Sequence, residues 1–481
     1  MKVSRLILIL PIVLIMSTTR ILSGDFAVDT IYLSGSVSNR INFVFLSDGY
    51  QQNELTKYIT DVKNSSDYFF KVVPFSNYKN YFNIFAIKVP SKESGASHPR
   101  TAYDCPDSNS HPRSKVNNYF GSAFDGNQIH RALYVAKSDS VYQVLKRNFP
   151  DYDQAFVLVN TPYYGGTGGT FPTSSTVSSA NEIVAHEFAH SFAKVSDEYG
   201  GNCTYKSIIG PNITQAKKYE LIPWNKWIDK STPVPTPENS QYQRTPGLFM
   251  GAFYCDTGWY RPQALCKMRT LGPPYCVVCT QTIIEKIHSL VNPIDEYNPK
   301  NLNLTISDTT LNFNVKLVKT QPNTLSIQWQ LNNVVTSNKE AFTLNTNQIP
   351  EGVSILAVSI NDTTSLSRDT NHVNKNVHQK SIQWNINKTT TDIKISGHEI
   401  NPDLNIFPNP TDNNVSIKID YELGSSIIQV FDINGREMMK EELSNTKGFN
   451  LFIPSLYYKP GTYLVRLSNG NYNITRKFIK N

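Results

Sequence analysis

One short segment, residues 181–200, constrains this chain more than any other. Its apolar residues recur at helical spacing and predict a partly buried α-helix, through Ile183, Val184, Phe192 and Val195. His186 and His190 are four residues apart, so they lie on one face of that helix, about one turn from each other. Glu187 lies beside them. Two imidazoles and a carboxylate in this HExxH arrangement are typical of a zinc site.

A zinc ion that takes part in chemistry needs a third protein ligand and an open position. The nearest carboxylates downstream are Asp197 and Glu198. Asp197 is seven residues past His190, and a continuous helix would carry it about 10 Å further along the axis. The helix must therefore end near Ala193, and the chain must turn back. We predict Asp197 as the third ligand, with Glu198 as the alternative; the unused carboxylate would orient a ligating histidine.

The reaction follows from the chemistry of these groups. Zinc lowers the pKa of a bound water towards about 7 and polarises a scissile carbonyl. Glu187 is placed to accept the water proton and to deliver it to the leaving amine. The pattern therefore predicts a hydrolase that cleaves peptide bonds, with a protein or peptide as substrate. A bare HExxH also occurs by chance on surface helices, but the apolar flanks and the carboxylate pair favour the zinc site.

The N-terminus has the pattern of an export signal. Lys2 and Arg5 precede an apolar run at residues 6–16, and small and polar residues follow up to residue 24. This order predicts a signal peptide at residues 1–24 and a secreted or cell-surface protein. No later run approaches 18 apolar residues, so we expect no transmembrane segment in the mature chain. The net charge of +7 is scattered, which argues against a nucleic-acid partner.

The rest of the chain divides by composition. Residues 25–295 mix helical and strand patterns and predict an α/β (α+β) catalytic domain of the zincin type. A linker rich in Pro and Asn follows, and residues 300–390 show short strands separated by turns, as in an immunoglobulin-like β-sandwich. Residues 404–481 again have the pattern of a β-sandwich. The predicted fold is therefore a mixed domain followed by two all-β domains.

All six cysteines precede residue 280. An even number in an exported chain favours disulfides. The pair Cys276 and Cys279 also has the spacing of half a zinc ribbon, but a second such pair is missing, so disulfides are the preferred interpretation.

Several other residues in this region are less specific. His98, His111 and His130 are interpreted as ordinary surface or core histidines, because ligation needs convergent partners. The glycine-rich segment at residues 164–169 lacks the Lys-Ser/Thr of a phosphate loop and is interpreted as a flexible cleft edge. Oxyanion donors cannot be chosen from sequence among three candidates, Tyr199, Tyr260 and Tyr275.

Several sequence blocks in residues 40–285 resemble the IgA-cleaving metallopeptidases of gut bacteria. They are NFVFLSDGY (42–50), PF (74–75), FN (82–83), SGA (94–96), YGG (164–166), HEFAHSF…DEY (186–199), CKMR (266–269) and CVVC (276–279). The resemblance implies a zinc endopeptidase with the metal held by two histidines and an acidic residue. By analogy with metzincins, Met268 would lie under the metal; a core methionine is the equal alternative. The chain departs from metzincins at Ala193 and Ser196, where glycine and a third histidine would stand.

The C-terminus resembles the sorting domains of the type IX secretion system. The matching blocks are FPNP (407–410), VFDINGR (430–436), PGTY (460–463) and KF (477–478). This resemblance implies a Bacteroidetes source and the type IX machinery as a partner.

Taken together, the sequence predicts a secreted zinc endopeptidase acting on extracellular proteins, immunoglobulin or other host glycoproteins among them. Glu187 is the predicted general base, and His186, His190 and Asp197 are the predicted zinc ligands. The alternative is a non-catalytic surface adhesin with a peptidase-like domain. A zinc hydrolase of non-peptide amides would need the same metal machinery.

Overall fold

The structure is a computed structural model that describes residues 25–203, 209–306, 310–368, 377–389, 404–419, 425–444, 449–455, 458–469 and 473–481. The predicted signal peptide lies outside these residues. The chain divides into two compact units, residues 1–391 and 392–481, which are treated separately below. No helix in the described part of the chain is long and apolar enough to cross a membrane.

The N-terminal part of the first unit mixes helices and strands, as predicted. Its helices are α1 (Leu55–Phe69), α2 (Ser138–Asn148), α3 (Asn181–Ala193) and α4 (Val277–Leu290). Its strands are β1 (Val28–Tyr32), β2 (Ile41–Asp48), β3 (Phe82–Ile87), β4 (Ser122–Ala123), β5 (Tyr134–Val135), β6 (Gln154–Val159), β7 (Gly166–Thr167), β8 (Thr173–Ser175), β9 (Phe249–Ala252) and β10 (Cys255–Arg261).

A six-stranded sheet in the order β1-β3-β2-β6-β8-β7 forms the centre of this part. Strands β3, β2, β6 and β8 are parallel, and the two edge strands are antiparallel. Every residue of β2 is buried, because both faces of the sheet are covered. Phe43 and Phe45 face a core that includes α1, α3 and α4, whereas Val44 and Leu46 face the core formed with α2. Helix α3 thus packs on one face of the central sheet.

The strands after α4 form two sheets that share one core. They are β11 (Ile294–Asn298), β12 (Asn303–Ile306), β13 (Thr310–Leu317), β14 (Leu325–Leu331), β15 (Val334–Ser337), β16 (Ala341–Asn345), β17 (Gly352–Asp362) and β18 (Gln379–Lys388). The sheet orders are β11-β13-β16 and β12-β18-β17-β14-β15. Trp329 and Trp384, from the repeated SIQW sequence, stack in this core with ring centroids 5.7 Å apart.

A buried polar cluster joins α4 to this β-region. The Asp362 carboxylate at the end of β17 accepts hydrogen bonds from Tyr78 and from Thr324, and it lies 2.8 Å from His288 Nε2 on α4. Burial alone would raise the pKa of Asp362, but the bonds from His288, Thr324 and Tyr78 lower it to about 2. The ionised carboxylate therefore holds the two parts together.

Asp362→Asn is expected to lower the free energy of unfolding at pH 6 by roughly 2 kcal/mol. This is the free energy that corresponds to the lowering of the Asp362 pKa from its usual value to about 2. Because the folded-state pKa of Asp362 is depressed, its contribution is present above pH of about 4 and is lost as the pH falls from there to about 2. Urea unfolding of both proteins between pH 6 and pH 2 would measure this. A difference in unfolding free energy that stays constant over that range would contradict the assignment.

The second unit is β-rich, as predicted for the C-terminus. Its strands are β19 (Leu404–Phe407), β20 (Val415–Ile419), β21 (Ser426–Asp432), β22 (Glu437–Leu443), β23 (Phe449–Ile453), β24 (Gly461–Ser468) and β25 (Asn473–Lys480). They form sheets in the orders β19-β20-β23 and β22-β21-β24-β25. Alternating residues of both sheets, such as Ile417, Val430 and Val465, fill a single core.

Candidate active site

The two predicted histidine ligands lie on α3, and the helix is held in place by its apolar side. Val184, Phe188 and Phe192 are buried in the core against the central sheet. The helix ends at Ala193, where Lys194 adopts a left-handed conformation (φ 57°, ψ 29°) and its N–H caps the His190 carbonyl. A left-handed cap reverses the direction of the chain. The segment after α3 therefore returns towards the histidines instead of continuing along the axis.

The two imidazoles direct the same nitrogen to one point. His186 Nδ1 lies 2.9 Å from the Lys267 carbonyl oxygen, and His190 Nδ1 lies 2.7 Å from the Val195 carbonyl oxygen. A carbonyl only accepts hydrogen bonds, so both Nδ1 atoms carry a proton, and Nε2 is the nitrogen whose lone pair a metal ion would use in each neutral imidazole. The Nε2 atoms lie 3.1 Å apart.

Asp197 completes this group. Its Oδ1 lies 3.1 Å from His186 Nε2 and 3.2 Å from His190 Nε2. The Glu198 carboxylate faces away from the histidines and bonds Asn212 and two cysteine thiols. The predicted ligand Asp197 is thus brought to the histidines, and the alternative Glu198 is not.

Hydrogen bonds fix the backbone of this returning segment. The Phe253 N–H donates to the Asp197 carbonyl, and the Glu198 N–H donates to the Met268 carbonyl. The buried Asn212 side chain accepts from the Ser196 N–H and donates to the Ser196 carbonyl. Met268 is buried in the hydrophobic core that includes α3. Its carbonyl therefore gives the returning segment a fixed attachment at Glu198.

The charges of the three groups are strongly coupled. Burial alone would lower the pKa of His190, but the Asp197 carboxylate raises it to about 9. Burial would likewise raise the pKa of Asp197, but the two imidazoles hold it well below its usual value. The Nε2 atoms of the two histidines and Oδ1 of Asp197 thus bind protons at one common point. The lone pairs that bind these protons are the ones that would bind a metal cation.

The spacing of these atoms fits a zinc ion. With bonds of about 2.0–2.1 Å, neighbouring nitrogen and oxygen ligands of tetrahedral zinc lie about 3.3–3.4 Å apart. The three separations here are 3.1, 3.1 and 3.2 Å. His186, His190 and Asp197 thus form one face of a tetrahedron, and the fourth position is left for a water or a substrate oxygen.

The predicted general base lies next to this face. A carboxylate oxygen of Glu187 lies within 4.8 Å of the histidine nitrogens. The glycine-rich segment passes directly over it, and a Cβ added to Gly168 would lie 2.5 Å from Glu187 Oε2. Gly168 therefore leaves the space that the carboxylate occupies. The predicted cleft edge at residues 164–169 thus borders Glu187.

Gly168→Ala is expected to lower kcat/KM while leaving the melting temperature nearly unchanged. The added methyl group meets the end of a flexible side chain and no backbone atom, so the Glu187 carboxylate moves at little cost in stability. Thr170→Ala, an exposed position in the same segment, is the matched control. Cleavage assays and thermal unfolding of both variants would test this, and equal activities would contradict the placement of Gly168.

Tyr254 is a site residue that the sequence analysis missed. Its hydroxyl donates to Asp197 Oδ2, and its ring packs edge-on against Tyr199 with centroids 4.9 Å apart. The bond leaves Asp197 Oδ1 to face the histidines. Tyr275 was a predicted oxyanion candidate, but it is fully buried and donates to the Ala185 carbonyl, so it cannot reach a substrate.

The prediction of disulfides is wrong for four of the six cysteines. Cys203 and Cys255 form a disulfide. Cys105, Cys266, Cys276 and Cys279 are free. The last three converge on the buried Glu198. The zinc-ribbon spacing of Cys276 and Cys279 was the only sequence signal of this arrangement, and it did not indicate Cys266 or Glu198.

Comparison with known families supports the resemblances seen in the sequence. Residues 30–245 match the family model described as IgA Peptidase M64. Residues 405–481 match the model described as a secretion system C-terminal sorting domain. Both predicted resemblances are confirmed. The sorting domain indicates a secreted or cell-surface protein that interacts with the type IX secretion machinery.

Comparisons with individual proteins add little. No curated protein matches the chain. Among solved structures, dimeric latent PorU from Porphyromonas gingivalis is 11% identical over 38% of this chain and 19% of its own, with a TM-score of 0.15. A chimeric titin Z1Z2 tandem is 11% identical over 38% and 98%, with a TM-score of 0.20. A Parabacteroides merdae β-glucuronidase is 8% identical over 47% and 28%, with a TM-score of 0.18. These likenesses are too low to indicate fold or function.

Proposed function

We propose that residues 25–295, which include the match to the IgA peptidase M64 family, form a zinc-dependent endopeptidase of the zincin type. The observation that carries this proposal is the convergence of His186 Nε2, His190 Nε2 and Asp197 Oδ1 within 3.2 Å of one another, with Glu187 beside them. A merely structural cluster would not need a neighbouring carboxylate or an open fourth position.

Each residue has a defined task in this reaction. Zinc, when bound, supplies Lewis acidity that lowers the pKa of a water and polarises the scissile carbonyl. Glu187 accepts a proton from the attacking water and then delivers it to the departing amine nitrogen. The carbonyls of Lys267 and Val195 keep both imidazoles in the tautomer that ligates through Nε2. Tyr254 holds the Asp197 carboxylate in place.

The substrate that we propose is an extracellular protein. The sorting domain delivers the chain to the outside of the cell, where immunoglobulin and other host glycoproteins are accessible. The glycine-rich edge at residues 164–169 supports this, since the half-buried Gly168 and the exposed Gly169 place backbone next to a catalytic carboxylate, where an extended peptide can pair with it. We further propose that residues 300–390 form an immunoglobulin-like domain and that residues 404–481 form the sorting domain.

The test uses the chain from residue 25 to residue 481, purified with its metal. We expect cleavage of casein, its loss with a zinc chelator, and its recovery when zinc is added back. Immunoglobulin A and other host glycoproteins would then be compared by kcat/KM. A protein that holds zinc and hydrolyses only non-peptide amides would contradict the endopeptidase. A protein that binds no zinc would leave the adhesin as the better interpretation.

A further inference from the structure

Three cysteines and a glutamate converge in the core below α3. They are Cys266, Cys276, Cys279 and Glu198, all of them buried, and one ligand atom of each lies within 4.8 Å of the others. The sulfurs of Cys266 and Cys279 lie 3.9 Å apart. Glu198 Oε1 lies 3.3 Å from Cys276 Sγ and 3.1 Å from Cys279 Sγ.

These separations are close to those of a tetrahedral zinc site. With Zn–S bonds of about 2.3 Å and Zn–O bonds of about 2.0–2.2 Å, neighbouring sulfurs lie about 3.8 Å apart and sulfur–oxygen pairs about 3.6 Å apart. The sulfur–sulfur distance agrees with this value, whereas the sulfur–oxygen distances of 3.3 and 3.1 Å are shorter, so the carboxylate would move slightly on metal binding. Thiolate ligands select zinc over calcium or magnesium. We propose that Glu198, Cys266, Cys276 and Cys279 bind a structural zinc ion, separate from the proposed catalytic site.

The surroundings of the cluster are also those of a metal site. The N–H groups of Met268 and Cys276 donate to Cys266 Sγ, and the Cys279 N–H donates to Cys276 Sγ. Such bonds stabilise negatively charged sulfur. Glu198 is fully buried, and among the residues that the structure describes its Oε2 has no hydrogen-bond partner. A disulfide would use two of the three sulfurs and would leave a buried thiol and this oxygen unpaired.

This zinc ion would fix the relative positions of two groups of the catalytic site, the Asp197 carboxylate and the Lys267 carbonyl. Glu198 is adjacent to Asp197, and Cys266 is adjacent to Lys267, whose carbonyl orients His186. The Glu198 N–H donates to the Met268 carbonyl, so the two segments are already paired. A metal that clamps both would fix the positions of Asp197 and the Lys267 carbonyl together.

The experiment measures metal content and the cobalt spectrum of the chain from residue 25 to residue 481. Cysteine thiolates bound to cobalt(II) give intense near-ultraviolet charge-transfer absorption, which His186, His190 and Asp197 cannot give. In a Cys105→Ala background, every such signal must come from this cluster. We expect the band, and we expect Cys279→Ser to lose it together with one metal equivalent per chain. Thr282→Ala, on the same helix, should keep both.

Two results of the metal and cobalt measurements would overturn the proposal. One is a metal content unchanged by Cys279→Ser. The other is the absence of the charge-transfer band from the cobalt-loaded Cys105→Ala protein, which decides the question even if Cys279→Ser does not fold. Mass spectrometry that finds two of the three cysteines in a disulfide would also exclude the site.

A separate cluster carries a second proposal of the same kind. His98, Cys105, Asp125 and His130 have ligand atoms within 4.8 Å of one another, in the loop region between β3 and β5. Asp125 Oδ1 lies 3.3 Å from His98 Nε2, 3.3 Å from His130 Nδ1 and 3.5 Å from Cys105 Sγ. The Cys105 sulfur lies 3.8 Å from His98 Nε2. Tetrahedral zinc requires about 3.3–3.4 Å between nitrogen and oxygen ligands and about 3.6 Å to sulfur.

The hydrogen bonds of the two histidines use the ring nitrogen that points away from the cluster, so the other nitrogen of each ring can bind a metal ion. His98 Nδ1 lies 3.1 Å from the Pro112 carbonyl, so it carries the proton and Nε2 keeps its lone pair. His130 Nε2 lies 2.8 Å from His111 Nδ1, which leaves His130 Nδ1 for the cluster.

We infer that His98, Cys105, Asp125 and His130 bind a zinc ion that stabilises the wall of the cleft. The interpretation of His98 and His130 as ordinary histidines is therefore replaced. The same loop supports the glycine-rich segment: Gly166 N–H donates to the Arg131 carbonyl, and Thr167 Oγ1 donates to the Leu133 carbonyl. Without its metal ion, the loop that contains Asp125 and His130 would hold the glycine-rich segment at residues 164–169 less firmly.

Cys105→Ala is expected to lose one metal equivalent per chain and to raise KM for peptide cleavage. Cys105→Asp, which restores a ligand atom, should recover the metal equivalent but not the part of the cobalt charge-transfer absorption that Cys105→Ala loses; the rest of the band belongs to the three-cysteine cluster. Tyr103→Ala, an exposed residue of the same loop, is the matched control and should change neither. Unchanged metal content in Cys105→Ala would overturn the site. If that variant does not fold, a Cys105→Asp protein that folds without the metal equivalent would overturn it as well.

Discussion

Glu187→Ala is expected to lower kcat for peptide cleavage by about 10²–10⁴-fold, the range that a positioned general base contributes. The metal content should stay at the wild-type value, because Glu187 is beside the three proposed ligands and is not one of them. The loss therefore lies in proton transfer to and from Glu187 and not in zinc binding. KM should change little, since the carboxylate acts on the attacking water and on the leaving nitrogen.

The measurement is steady-state cleavage together with metal analysis of the same preparations. Glu187→Gln, which keeps the size of the side chain, should lose activity to a similar extent. Ser191→Ala, one turn further along α3, is the matched control and should keep it. Loss of one metal equivalent in Glu187→Ala would make Glu187 a ligand, and retention of most activity would require another base.

The part of the site that could be predicted from the sequence is the part set by helical spacing. His186, Glu187 and His190 lie within one turn of α3, so local geometry alone places them together. The end of the helix near Ala193 also followed from local geometry, because the third ligand had to return. The choice between Asp197 and Glu198 could not be made in this way. It depends on the path of the segment after α3, which Asn212 and Phe253 hold from distant parts of the chain.

The residues that the sequence did not reveal come together only by tertiary contacts. Tyr254 reaches Asp197 from the turn between β9 and β10, and Gly168 reaches Glu187 from the turn after β7. The cysteines were misinterpreted for the same reason. An even count in an exported chain favoured disulfides, but Glu198 from the segment after α3 provides the fourth group that makes a metal site of three cysteines.

The fold was predictable at the level of its patterns. Runs of buried apolar residues indicated the central strands, and alternation indicated the β-rich C-terminus. The order of strands in the central sheet was not predictable, since β7 pairs locally with β8 but β1 joins the sheet by long-range antiparallel pairing with β3. That pairing has no local signal.

Asp197→Ala is expected to remove one metal equivalent per chain and to reduce cleavage to the uncatalysed background. Only two histidines would then remain for the catalytic zinc, whereas a catalytic site needs three protein ligands. Without the metal, the pKa of the attacking water returns from about 7 towards 15.7, so that Glu187 has no activated nucleophile. This is the largest loss that we expect from a single substitution in the catalytic site.

Metal analysis and cleavage assays of three variants distinguish the candidate ligands. Asp256→Ala removes an exposed carboxylate near the turn between β9 and β10. It should change neither the metal content nor the cleavage rate. Glu198→Gln should lower the thermal stability, because Glu198 belongs to the buried thiol cluster, and the cobalt spectrum of that cluster should change with it. If Asp197→Ala keeps its metal and its activity, the third ligand is not Asp197. Because the Glu198 carboxylate is held by Asn212 and the two thiols of Cys276 and Cys279, the third ligand would then have to come from another part of the chain.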